Sequence, residues 1–187
     1  LRAEATPPAL RLQLLGMLGP AASAGQHAEV VSALQEGSPN LAIASEAIKL
    51  SGDGAYADQL VNLAAKAKLG AEEDAAPANL DVLYAAYALT TLPGAQAQLL
   101  RRKLLECTDA LVRWQVRLGE LLQGDPGPWQ AAVTAQGIAS QDIWVVLEPD
   151  DIRDAALLPT YALAVANENS RFRTFAAIRS NRLCPMR

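Results

Sequence analysis

Apolar positions along the chain fall in short stripes at helical spacing, each stripe cut by glycine or proline. Residues 9–19 (ALRLQLLGMLG) read as a helix closed by Gly19-Pro20, a helix-stop pair. A second helix is expected over 25–36, with Val30, Val31 and Leu34 on one face. Gly37-Ser38-Pro39-Asn40 ends it and offers Asn40 as N-cap for the next, over 41–51. That helix breaks at Gly52-Asp53-Gly54. Its partner over 55–69 carries Leu60, Leu63, Ala64 and Ala67 at helical spacing.

Residues 70–79 (GAEEDAAPAN) read as a polar, acidic loop. Asn79 is placed to cap a helix over 80–92, whose stripe is Leu83, Tyr84 and Tyr87 and which stops at Pro93-Gly94. The stretch 95–123 is one long helix, or two that break near Thr108-Asp109. Gly124-Asp125-Pro126-Gly127-Pro128 is a firm break. Beyond it a short helix is expected at 128–136, opened by Pro128. Segment 143–147 (IWVVL) is the one strand-like run, although Ser140 and Asp142 would equally cap a helix there. Glu148-Pro149-Asp150-Asp151 caps a helix to about 166, and 171–180 form a last short one.

Apolar helix starts lie at Leu10, Leu41, Leu80 and Leu111, and each is followed by a break and a second amphipathic helix. This is the helix–turn–helix cadence of α-solenoids. The segments LRLQLLGMLGPAASAGQHAEVVSAL, LAIASEAIKLSGDGAYADQLVNLA and LDVLYAAYALTTLPGAQAQLLRRKLL carry it, and over about residues 9–135 the chain resembles a HEAT-type repeat array. The resemblance implies antiparallel helical hairpins in series that present a face to another protein. A single helical bundle whose hairpins recur at ordinary helix length gives the same pattern. The expectation is therefore an all-α fold in one domain, residues 1–187. Its hairpins lie at 9–69 and 80–136, with a less regular segment at 140–187.

Composition agrees. Of 187 residues, 37 are Ala and 29 are Leu, while aromatics make up 5%. Ala and Leu lose least on entering a helix, and strands want the β-branched and aromatic residues that are scarce here. With 51% hydrophobic and 19% charged residues the chain has enough apolar surface to fold. No window reaches the roughly 20 apolar residues of a membrane span.

A net charge of −4 and a pI near 5.0 argue against a general nucleic-acid binder. Arginine outnumbers lysine 12 to 4, the accent of a GC-rich bacterial genome. Cys107 and Cys184 are too few for a zinc motif; they either form a disulfide, which implies an oxidising compartment, or stay as two unrelated thiols. The disulfide reading tilts the localisation toward the bacterial envelope.

Chemistry is sparse. His27 is the lone histidine and reads as a surface residue, so a His-based triad has no members. Neither a P-loop nor a dinucleotide fingerprint occurs. The carboxylates Glu148, Asp150, Asp151 and Asp154 lack the spacing of a calcium loop and are better read as helix caps. No cofactor or metal is expected, and no enzymatic activity.

The tail is the most distinctive surface. From Arg171 to Arg187 there are five arginines and no acid. Arg171, Arg173, Arg179 and Arg182, interleaved with Phe172 and Phe175, are candidates for docking an acidic partner protein, with contact to an anionic membrane surface a lesser alternative. Equally, they form a capping helix whose phenylalanines complete the core. Of Trp114, Trp129 and Trp144, Trp129 is expected to be the most exposed, and so joins the partner-binding set. The sequence thus points to a non-enzymatic interaction or scaffold module. A small-molecule-binding or sensory helical bundle is the alternative.

Overall fold

The computed structural model describes residues 6–35, 38–70, 79–136, 141–147, 155–166, 174 and 176–178. The described residues are helical and form no strand, so the fold is all-α. The chain is organised as two compact units, Leu1–Gly119 and Glu120–Arg187.

In the first unit the helices are α1 (Pro8–Leu18), α2 (Ala24–Ala33), α3 (Leu41–Ser51), a 3₁₀ stretch Gly54–Leu60 running into α4 (Val61–Ala64), α5 (Leu80–Leu89), α6 (Ala95–Leu104) and α7 (Ala110–Leu122), within which the boundary between the units falls. Several of the helix limits on described residues have local causes. Pro8 opens α1, where its missing N–H costs nothing. Gly52 ends α3 in the left-handed region at φ 60°, a conformation that β-carbons disfavour. The carboxamide of Asn79 accepts from the Asp81 N–H at 3.0 Å and starts α5. The carboxylate of Asp109 accepts from the Val112 N–H at 2.9 Å, which splits 95–123 into α6 and α7. Asn40 precedes α3 but its side chain caps nothing; its own N–H donates to Ser38 Oγ at 3.2 Å.

The helix expected over 55–69 is instead a 3₁₀ stretch with a single α-helical turn after it. Its start is fixed by Asp53, which accepts from the Ala55 N–H, and by a close approach of Gly54 to the chain after α5. A β-carbon on Gly54 would lie 2.6 Å from the Pro93 carbonyl oxygen. Docking of the backbone there overrides helix propensity.

Helix α3 packs between α1 and α5, and the second members of the hairpins lie alongside: α2 against α1 and α3, and the Gly54–Ala64 segment against α5 and α6. The buried positions of α3, Leu41, Ala44, Ser45, Ala47, Ile48 and Lys49, span about half its circumference at 3.6 residues per turn, as a helix with two neighbours requires. Small residues set the separations. Ala44, Ala47, Ala85, Ala86 and Ala88 are all buried, and Gly16 of α1 meets the backbone of α3 at Ala47. One apolar core, from Leu12 to Val116, runs through the unit. Polar ties connect the elements: Arg11–Glu29 at 2.6 Å, Lys66–Asp81 at 2.6 Å, and Gln115 Nε2 donating to Thr90 Oγ1 at 2.6 Å. An isolated bridge between Leu69 and Cys107 joins the chain after α4 to the α6–α7 turn.

The second unit contains α8 (Gly127–Gln136), α9 (Gln141–Leu147), a 3₁₀ turn Ala155–Leu157 and α10 (Leu158–Val165). The strand-like run 143–147 is therefore helical. Ile143, Trp144, Val146 and Leu147 are buried while Val145 is exposed, a distribution that a period of two would not give. No helix among the described residues is long and apolar enough to cross a membrane.

Candidate functional site

The arginine-rich tail proposed for docking lies outside the described residues at Arg171, Phe172, Arg173, Phe175, Arg179 and Arg182, as do the acidic run 148–154 and Cys184. Trp129, expected to be exposed, is 1% exposed. Its indole N–H donates to Thr160 Oγ1 at 2.8 Å, joining α8 to α10 within the second unit. A large apolar ring with one donor is easily buried once a hydroxyl meets that donor, and Thr160 supplies it. Trp129 is thus a buried anchor rather than the exposed residue the sequence suggests.

Cys107 is a buried free thiol beside the bridge to Leu69. Burial pushes its pKa up, against the lowering effect of a backbone hydrogen bond and of Arg113. A thiol so placed is a weak nucleophile. Arg113 lies close by and is spent on structure: its guanidinium donates to the Cys107 and Thr108 carbonyls at 2.7 and 3.0 Å. His27 is half-buried rather than free on the surface. Its Nδ1 pairs with Tyr56 Oη at 2.6 Å, linking α2 to the 3₁₀ stretch. Tyr56 has its pKa raised, first by burial and then by the nearby Asp53 carboxylate. Among the described residues no group of three or more His, Cys, Asp and Glu side chains is placed to hold a metal ion.

The end of α2 and the segment from Gly54 through Lys66 line a groove of about 340 Å³. Val31, Leu34 and Leu63 form its apolar surface; Gln35, Gln59, Asn62 and Lys66 form its polar surface. Leu34 and Leu63 are themselves buried, so they make a fixed floor. Lys66, the one charged residue among the described residues of the lining, holds Asp81 at 2.6 Å, so its charge is already countered. Among the described residues the carboxamides of Gln35, Gln59 and Asn62 make no side-chain hydrogen bond. Three amide groups, each a donor and an acceptor, thus edge a short apolar trough.

This groove is not read from the sequence. The one local signal is that Gln59, Asn62 and Lys66 recur at intervals of three and four and so share a helical face. Gln35 comes from another hairpin, and nothing in the chain announces that it joins them. Comparison with known proteins leaves the fold and the groove as the sources of functional inference: no family model, no curated protein and no solved structure matches this chain.

Proposed function

We propose that the protein is a non-enzymatic protein–protein interaction module built from serial helical hairpins, with the groove between α2 and α4 as its recognition surface. The observation that carries this reading is the groove itself: a fixed apolar floor edged by three unengaged carboxamides, formed where two successive hairpins meet. The order in which α1, α3 and α5 pack supports a HEAT-like stacking of hairpins, in which such grooves arise between neighbouring units. Among the described residues the Cys107 thiol is buried, His27 pairs with Tyr56 and Lys66 with Asp81.

The test is a photo-reactive phenylalanine analogue placed at Gln35 and, separately, at exposed Glu106 outside the groove, with irradiation in cells of the source organism. A protein adduct formed at Gln35 and absent at Glu106 is expected. The captured protein should then bind the Gln59→Leu/Asn62→Leu variant more weakly than the unaltered chain. Adducts independent of position, or binding indifferent to the double variant, would refute the reading.

The small-molecule-binding or sensory bundle draws on the same groove, whose volume sits at the lower end of the range for small-ligand sites, about 300–1,000 Å³. Its half-open form, with exposed carboxamides along the edge, fits a chain segment better than an enclosed metabolite.

A further inference from the structure

Resting on that interaction reading, we infer the chemistry of the occupant: the groove takes an extended, uncharged stretch of peptide, with one aliphatic side chain on the floor and its backbone amides against the carboxamides. Three features of the lining converge on this. Carboxamides present both a donor and an acceptor, which match the C=O and N–H of a peptide unit. Gln35 comes from the chain just after α2, and Gln59 and Asn62 from the Gly54–Ala64 segment, so a chain passing along the groove meets amide groups from two elements. Among the described residues the floor of Val31, Leu34 and Leu63 is aliphatic, with no aromatic ring to stack on a planar ligand.

Charge argues the same way. Lys66 is held by Asp81, and the two side chains are 27% and 15% exposed, so the pair is partly shielded from water. A carboxylate ligand would have to compete with Asp81, and a cationic ligand would face Lys66 with its counter-charge already engaged. A neutral segment meets neither cost. Backbone amides that would otherwise lose water on the leucine floor are satisfied by the carboxamide edge, the condition for burying a peptide group at all.

The experiment uses the full chain labelled with ¹⁵N and follows the side-chain NH₂ resonances of Gln35, Gln59 and Asn62 by NMR. The probes are N-acetyl-leucyl-alanine N-methylamide, the same peptide methylated at every amide nitrogen, and free zwitterionic leucine. Saturable shifts at the three carboxamides are expected with the first probe. Affinity should fall about tenfold or more with the methylated peptide and in Gln59→Leu/Asn62→Leu, as expected for losing hydrogen bonds of ordinary strength. Both substituted residues are exposed, so the variant should fold, and its backbone spectrum checks this. Equal binding of the methylated peptide or of free leucine would overturn the inference, as would saturation that is unchanged in the double variant. Should no peptide bind while the Gln35 photo-adduct still forms, the occupant's chemistry is wrong and the interaction reading stands. If the adduct fails while the blocked peptide binds as described, the reverse holds.

Discussion

Replacing Gly16 by alanine sets two effects of known size against each other. In a helix interior, alanine is favoured over glycine by about 0.8–1.0 kcal/mol. Gly16 lies within α1 and is buried, so this gain would apply if space allowed. It does not: a β-carbon there would lie 2.6 Å from both the Cα and the carbonyl oxygen of Ala47 and 3.0 Å from its carbonyl carbon. These are backbone atoms of α3 and cannot rotate aside. Restoring ordinary contact moves α1 away from α3 by somewhat under 1 Å, enough to loosen core contacts around Leu12, Leu15 and Ile48. Overpacking of this kind costs about 1–3 kcal/mol and outweighs the propensity term, so Gly16→Ala should be destabilised overall. Gly25→Ala is the control, since Gly25 is also helical and has nothing within 4 Å of its would-be β-carbon. Urea unfolding followed by circular dichroism should give a lower midpoint for Gly16→Ala and an unchanged or raised one for Gly25→Ala. A Gly16→Ala chain as stable as the unaltered protein, with the same denaturant slope, would refute the claim that α1 and α3 meet backbone to backbone.

Three further outcomes are expected. Arg101→Met should cost about 2–4 kcal/mol in urea unfolding, because it removes charged hydrogen bonds to the buried Leu89 and Leu92 carbonyls at 3.0 and 2.8 Å, whereas Arg102→Ala and Lys103→Ala, on the exposed face, should stay within about 0.5 kcal/mol. Thr160→Val should destabilise by about 1–3 kcal/mol by removing the hydroxyl to which the Trp129 indole N–H donates, and Trp129→Phe by at least as much, because it loses the same hydrogen bond and leaves a cavity in a buried site; calorimetry of the two variants checks the order. Stability should fall in the alkaline range. Cys107 and Tyr56 both have raised pKa values, so the folded state holds its protons longer than the unfolded one. Their contribution is complete below the ordinary values, about 9 for the thiol and 10 for the phenol, and is lost as pH rises through the folded ones. Cys107→Ala with Tyr56→Phe should flatten the midpoint-versus-pH profile above pH 9, and an unchanged profile would contradict the burial argument.

What the chain made legible was local. Gly52, Asn79 and Asp109 act on their own turn, through a left-handed residue or a side chain reaching an N–H two or three residues on, so the helix limits they set could be read directly. The 55–69 segment escaped because its shape depends on Pro93, far along the chain, pressing on Gly54. The strand-like run 143–147 escaped because five apolar residues carry no usable period.

The division between local and distant causes extends to the candidate sites. Sequence alone determined that this chain is a series of short helices: its alanine and leucine stripes and its punctuation are intrinsic preferences of neighbouring residues. Only the tertiary structure decided which side chains those helices bury. Arg101 is sealed in and Arg102 left outside, and Trp129 is turned inward onto Thr160. Gln35 and Asn62 are brought to one groove. Burial is a relation between elements distant along the chain, set by which faces can approach closely enough to exclude water, and no local pattern encodes it.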